Sequence, residues 1–428
     1  MLQHRSRGGV LDLGATEFAI RDAMHRAGTV LLEHVLDGDH GGHRGPQLSC
    51  GCGEQAEFVD YRRKGVLTVL GEGQVRRAYY HCACCAHGTI PKDQELDIVG
   101  SSVSPGVRRL LARVGAQEAF EAGSRDLAEL AGIEVKTKEV ERVSEACGEA
   151  MEHAAARERA AVVAGKVVAL RPEGKLYVVI DGTGVPVVKR ECAAQGKDGG
   201  PAKTREAKLG CVFTQNTVDA EGYPVRAPHS TTYVGAIESC TEFGPRIHAE
   251  ALRRGLQCAT DVVALADGAP WIWNLVSEQF PGAVQIVDLY HAREHLAEVA
   301  RVVYAKAPEQ ATAWGEVRRE ELDEGDVPLV IRALKRLRPQ ADAAKEVVRK
   351  AIDYFATNEH RMSYAAFRRQ GYFVGSGVIE AGCRTIIGQR LKQSGMHWTV
   401  RGANAIIALR CSLLSNRWDD HWKVRAVG

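Results

Sequence analysis

No apolar run in these 428 residues approaches the roughly 20 that cross a bilayer as a helix. The opening stretch MLQHRSRGGVLDLG also lacks the apolar core of a secretory signal. Both absences lead to the expectation of a cytoplasmic protein with no membrane partner. A charge surplus is missing as well. The 56 Lys+Arg against 54 Asp+Glu leave a formal net charge of +2, so bulk charge gives no reason to invoke nucleic acid. Nor is a disulfide framework expected from the 12 cysteines, since that compartment keeps thiols reduced. Cys147, Cys192, Cys240, Cys258 and Cys411 stand singly and read as small buried hydrophobes. What is present is ordinary globular material, 45% apolar and 26% charged, with length for two or three domains.

The chain reads as α/β, in six segments. Residues 1–45 hold a helix over 15–37, spaced through Phe18, Ala23, Ala27, Val30 and Leu31, then a Gly/His-rich linker containing His40 and His43. Residues 46–100 form a hairpin, with strands at 66–70 and 75–80 around a Gly-Glu-Gly turn. Cys50-x-Cys52 flanks it on one side and Cys82-x-x-Cys85 on the other. Two short-spaced pairs of soft ligands on a hairpin read as a zinc-ribbon-like module closing a structural Zn²⁺ site. Cys84 and His87 are alternatives to Cys85 as fourth ligand. Such a module would place basic residues such as Arg76 and Arg77 near DNA.

Residues 101–165 are helical, starting at Ser104–Pro105 and turning at Gly132. The layout fits a helix-turn-helix whose second helix, near 136–143, enters a major groove; a plain helical hairpin fits equally. From 166 to 291 the pattern changes. LYVVID and VPVVKRE read as strand segments, followed by a Gly/Lys-rich excursion over 195–206, then AKLGCVFTQNTVD and STTYVGAI, a meander of three antiparallel strands. Helix, strand, helix and strand follow, which is the ribonuclease H-like order. Residues 292–370 read as an all-α insertion, and 371–428 as a final catalytic helix with a basic C-terminal segment.

Three acids stand out in this frame: Asp181 in VVIDGTGVP, Asp267 in VVALADGAPWIW and Glu380 in GSGVIEAGC. A carboxylate at the end of a buried strand is costly unless it binds something. Three converging carboxylates repel one another, and divalent cations relieve that repulsion. Around Glu380 basic residues accumulate: Arg368, Arg369, Arg384, Arg390, Lys392, Arg401, Arg410, Arg417, Lys423 and Arg425. Their surplus over acids points to a phosphate-facing surface. Trp271 and Trp273 fit either base stacking or core packing; Trp398, Trp418 and Trp422 read as packing anchors.

These blocks resemble the DDE transposases of bacterial insertion sequences, and among them the ISKra-type family related to mutator-like elements. The similarity runs through CGCGEQAEF, RRAYYHCACCAHG, IDGTGVP, LADGAPWIW, FPGAVQIVDLYHAREHL, GSGVIEAGCRTIIGQRLKQSGMHW and SNRWDDHW, from about residue 48 to 422. It implies DNA cleavage at transposon ends and strand transfer into target DNA. It also implies Asp181, Asp267 and Glu380 as ligands of two Mg²⁺ (or Mn²⁺) ions about 3.5–4 Å apart, and a homo-oligomer of at least two copies. Asp288-x-x-His291 matches a short acid-x-x-His motif of such elements. Asp288 is then a fourth acid near the metals or a helix N-cap, and His291 a DNA contact or a structural histidine. Where some related families carry Lys seven residues after the catalytic Glu, this chain has Ile387. Arg384, Arg390 and Lys392 are the candidate DNA-binding residues instead. A ribonuclease H-like nuclease without strand transfer, or a non-catalytic zinc-ribbon DNA-binding regulator, are the alternative readings.

Overall fold

β-Branched runs and Ala/Glu/Arg-rich stretches separate into a mixed α/β chain in the computed structural model, which describes residues 6–7, 10–167, 169–170, 174–192 and 203–423. Most of the Gly/Lys-rich excursion over 195–206 lies outside the described residues, as does Arg425. The chain divides into two compact units, Met1–Cys147 and Gly148–Gly428.

The first unit opens with α1 (Leu13–Asp37), capped by Asp12, whose side chain accepts from the Ala15 N–H at 3.0 Å. A four-stranded antiparallel sheet follows: β1 (Gln47–Ser49), β2 (Gln55–Thr68), β3 (Gly71–His81) and β4 (Gly88–Thr89). The hairpin is longer than the sequence reading gave, and its turn comes earlier, at Val69 and Leu70 rather than over 71–73. Thr68 closes that turn: its hydroxyl donates to the Gly71 carbonyl at 2.8 Å and accepts from the Leu70 N–H at 3.2 Å. Gly71 follows at φ +122°, a conformation that favours glycine.

Helices α2 (Pro105–Gln117) and α3 (Phe120–Ala131) follow in the first unit. Helix α4 (Thr137–Val163) begins there and runs past Cys147 into the second, so that Glu149 and Glu158 on it belong to the second unit. Ser104 caps α2 as its Ser-Pro start predicts. Gly132, at φ 66°, ends α3 in the left-handed conformation. The basic residues at the start of α4 are already engaged within the helix. Lys138 pairs with Glu141 at 2.9 Å and Arg142 with Glu139 at 2.5 Å.

The second unit is built on a mixed sheet. Its central path is β5 (Lys175–Pro186), β6 (Thr204–Val218), β7 (Thr232–Ala236), β8 (Val262–Ala266) and β9 (Val284–Val287), in spatial order β7-β6-β5-β8-β9. The first three pair antiparallel, and β8 joins β5 and β9 in parallel. VPVVKRE does not begin a strand of its own. β5 runs unbroken through Asp181 to Pro186, because the long β6 pairs with it as far as Thr204; Lys189–Glu191 is a 3₁₀ turn. Residues 176–180 are all buried, and Tyr177 stacks on Phe213 at 4.8 Å with Phe373 edge-on to both.

Helix α5 (Cys240–Arg253) connects β7 to β8, and α6 (Pro270–Gln279) connects β8 to β9. Then come five helices: α7 (Leu289–Val303), α8 (Pro308–Glu324), α9 (Val327–Arg336), α10 (Asp342–Asn358) and α11 (Tyr364–Arg369). The chain returns through α12 (Gly377–Gly382), continues directly into a π-helical turn at Cys383–Gly388, and ends with α13 (Val400–Leu414) and α14 (Trp418–Lys423). No helix among the described residues is long and apolar enough to cross a membrane.

Candidate functional site

Strand register brings the acids together. Val262 lies opposite Leu176 and Leu265 opposite Val179. Carried two residues on, the same register sets Asp267, which directly follows β8, level with Asp181. Asp181 does not end its strand as its apolar run suggests but lies midway along β5, where the parallel pairing with β8 stops while the antiparallel pairing with β6 continues. Ala266 lies opposite Val287, which sets Asp288 level with Asp267 in turn. The carboxyl edge of parallel strands is where open α/β sheets form their binding crevices. Glu380 arrives from the other direction, in the first turn of α12.

The other two acids are near enough to act on Asp181 electrostatically. Burial raises the Asp181 pKa above its ordinary 3.8, and the negative charges of Asp267 and Glu380 raise it further. The Cys383 thiol and the Gly182 N–H, the latter at 2.6 Å, work against that shift. Folding therefore tightens proton binding at Asp181. Its contribution to stability is complete below the unfolded pKa and is lost as pH rises through the folded one. Asp181→Asn should accordingly raise the thermal stability of the metal-free protein near neutral pH. The gain should vanish at acid pH, where the carboxyl is protonated in both states. Thermal unfolding in EDTA at both pH values checks this, and a less stable variant at neutral pH would refute it.

Each acid is held by neighbours that sequence patterns do not show. Asp267 Oδ1 accepts from the Ala269 N–H at 2.9 Å. Its carbonyl accepts from the Tyr354 hydroxyl at 3.0 Å, reaching in from α10. Gly268, at φ +101°, leaves room for that ring: a Cβ there would stand 2.7 Å from Tyr354 Cε2. Tyr354 also lies 4.1 Å, ring centroid to centroid, from His295 on α7. Burial, then His291, lower the His295 pKa, while burial and the charges of Asp267 and Asp288 raise that of Tyr354. The helices between β9 and α12 thus supply a clamp on the turn that carries Asp267.

Glu380 Oε1 accepts from the Ser376 hydroxyl at 3.0 Å. The Ser376 N–H donates in turn to Asp288 Oδ2, and Asp288 Oδ1 accepts from the His291 N–H at 2.6 Å. Asp288 is fully buried, and both its oxygens are taken by backbone N–H groups. It is the N-cap of α7 and a tether for the loop before Glu380. The only advance signal for Ser376 was its position four residues before Glu380.

The basic residues divide sharply. Arg384 is exposed, and Lys392, also exposed, donates to Thr183 Oγ1 at 2.5 Å, two residues from Asp181. His291 is partly exposed, 3.6 Å from Glu294. Arg390 requires a correction. It is fully buried, with its guanidinium 4.9 Å from the Trp398 ring centre, so as folded it offers no surface to DNA. Arg410 is buried too and donates to the Thr385 carbonyl. Arg401 pairs with Glu149, and Arg417 with Glu158 at 2.5 Å. The surplus of positive charge in the C-terminal sequence is therefore partly neutralised by acids from α4. Ile387 is buried in the π turn. Trp273 is buried beneath Arg361, and Trp398 and Trp418 are packed.

The cysteines of the first unit form a second cluster. One ligand atom from each of Cys50, Cys52, Cys82 and Cys85 lies within 4.8 Å of all the others, with Cys50–Cys85 at 3.5 Å and Cys52–Cys82 at 3.6 Å. Four sulfurs at these separations could hold a tetrahedral metal ion such as zinc, whose Zn–S bonds are about 2.3 Å. Cys84 and His87 stand outside the group, although the His87 carbonyl accepts the Cys82 N–H at 2.9 Å. The backbone N–H groups of Cys85 and Cys84 bring the Cys82 thiol down to about 7, favouring the thiolate that binds metal. Cys52 is pushed up to about 12: the Glu54 N–H favours its thiolate, but the neighbouring sulfurs outweigh it. Four such groups cannot all ionise without a cation between them. Arg77, expected near DNA, is instead buried and paired with Asp93 at 2.7 Å. Arg76 lies over the Tyr61 ring.

Among the described residues no three carboxylate or histidine groups gather as tightly as these sulfurs. Compared with protein-family models and with curated proteins, the chain matches none.

Proposed function

We propose that the chain is a transposase of the DDE type, with a ribonuclease H-like core that cleaves DNA at transposon ends and joins the freed ends to target DNA. The observation that carries this reading is Asp181 level with Asp267 on adjacent strands of a sheet ordered 3-2-1-4-5, its second strand antiparallel to its neighbours, with the charges of Asp267 and Glu380 both acting on Asp181. Hard carboxylate oxygens suit Mg²⁺ or Mn²⁺, and the mutual repulsion felt at Asp181 is what such a cation relieves. Bound there, divalent metal supplies activation of the attacking oxygen and stabilisation of the leaving one.

The protein's own groups do the rest. Tyr354 and the Ala269 N–H fix the turn bearing Asp267, and Ser376, held by Asp288, orients Glu380. Lys392, exposed and bonded to Thr183 two residues from Asp181, and the exposed Arg384, four residues after Glu380, are the cations available to meet phosphate. No side chain is needed as a covalent nucleophile. The thiolate cluster has a structural role, a zinc-ribbon-like module carried ahead of the core.

Incubation of the full chain with paired transposon-end duplexes and a target plasmid tests the reading. Mg²⁺-dependent nicking and covalently joined products are expected. Nicking without joining would reduce the function to a nuclease, and binding without either would leave a DNA-binding regulator.

A further inference from the structure

Helix α1 leaves most of its large apolar side chains in solvent, Phe18 on one side and a longer row on the other. None of its residues is buried. Its anchoring contacts to the rest of the first unit are largely polar. Thr29 Oγ1 donates to the Leu70 carbonyl at 2.6 Å, Glu33 Oε1 accepts from the Gln74 N–H at 2.6 Å, and an Arg21 guanidinium N–H donates to the Glu129 carbonyl at 3.0 Å. Leu36 is the residue of this helix that joins the Val66–Val75–Ile98 cluster. A surface helix normally turns its apolar stripe inward and its polar face to water.

Here the apolar stripe faces out. Leu13 is 66% exposed, Ile20 51%, Met24 67%, Leu31 64% and Val35 66%. At about 100° per residue these five fall within an arc of about 60°. Leu13, Met24 and Val35 are spaced by eleven residues, as are Ile20 and Leu31. An eleven-residue repeat holds about 3.67 residues per turn, so the stripe runs almost parallel to the helix axis over roughly 33 Å. Val30, 65% exposed, widens it. Together these side chains expose on the order of 700 Å², close to the about 800 Å² that each partner contributes to a standard specific interface. Patches of this size on a monomer mark an interaction site.

We propose that α1 is the dimerisation element of this protein and that a second copy of the chain covers its outer face. Glu17 is the one acid or base on the arc, so the stripe has almost no charge pattern with which to select a different partner. A twofold axis brings the same uncharged stripe against itself with little like-charge repulsion, and the straight stripe allows contact along its whole length. The area matches what such a pairing needs. Dimerisation through α1 does not depend on the acid chemistry, so sedimentation decides it separately from nicking.

The test is analytical ultracentrifugation of the full chain at micromolar concentration, without DNA, for the wild type, Ile20→Glu/Leu31→Glu and Met24→Ala/Leu31→Ala. The wild type is expected to sediment as a dimer. The charged variant is expected to be monomeric, with an unchanged circular dichroism spectrum and zinc content. The alanine variant, which adds no charge, should raise the dimer dissociation constant by at least about tenfold. A monomeric wild type would overturn the proposal. So would a folded charged variant that still dimerises, or an alanine variant with an unchanged dissociation constant.

Discussion

Asp267→Asn is expected to lower Mg²⁺-dependent nicking of transposon-end DNA by at least about 10³-fold while leaving DNA binding intact. The substitution keeps the side chain's shape and its carbonyl oxygen, so the acceptor for the Ala269 N–H at 2.9 Å survives. Tyr354 donates to the Asp267 backbone carbonyl, which the change does not touch. What is lost is the negative charge, and with it one hard anionic ligand. Gel-based nicking and fluorescence anisotropy on the same end duplex separate chemistry from binding. Full activity in the variant, or nicking that persists in EDTA, would remove the basis for a metal-dependent acid site.

Removing metal from the thiolate cluster is expected to have the other large effect. Around Cys50, Cys52, Cys82 and Cys85, the buried cluster of Ala56, Ala78, Tyr80 and Cys82, with Leu48, Cys50 and Phe58 against it, is small. So little apolar burial is a weak hold on that end of the sheet without a metal ion on the four sulfurs. Structural zinc sites contribute on the order of 10 kcal/mol of coupled binding and folding. Chelation, or Cys82→Ser, should therefore unfold the end of the β1–β4 sheet nearest the cysteines and expose it to protease. The acid site belongs to the other compact unit, and its metal-dependent nicking of a short, pre-melted substrate should survive. Limited proteolysis, with zinc content by atomic absorption, tests this. Cys84→Ser serves as the control expected to keep its zinc, because Cys84 lies outside the group of four sulfurs.

Much of the acid site was legible beforehand because its signals are local. An apolar run followed by Asp-Gly marks where a strand delivers a carboxylate; at Asp267 the strand stops there, whereas β5 continues past Asp181 to Pro186 because the distant β6 keeps pairing with it. The cysteine pairs were legible for the same reason: short spacing along a hairpin confines the sulfurs to a small volume. The supporting groups had no such mark. Tyr354 lies among ordinary helical residues, and nothing in its neighbours announces that its hydroxyl reaches the Asp267 carbonyl. Asp288 read as either a metal-site acid or a cap. The Ser376 N–H, 88 residues away in sequence, occupies its second oxygen and favours the cap.

The basic residues show where local reading misleads. Counting charges from residue 361 onward gave a positive surface, but Glu149 and Glu158 lie far upstream and meet Arg401 and Arg417 only in the folded chain. Arg390 looks in sequence like its neighbour Lys392. The π turn after Glu380 and the packing against Trp398 bury the first, while the second reaches Thr183.

By itself the sequence determined most element types, the two acids that follow apolar strand runs, the glutamate on its helix and the four sulfurs, because each depends on residues within a few positions. The tertiary structure alone decided which charges stay exposed, which carboxylates are tethered and which face of α1 meets solvent. Burial and pairing are set by neighbours distant in sequence, and no pattern along the chain records them.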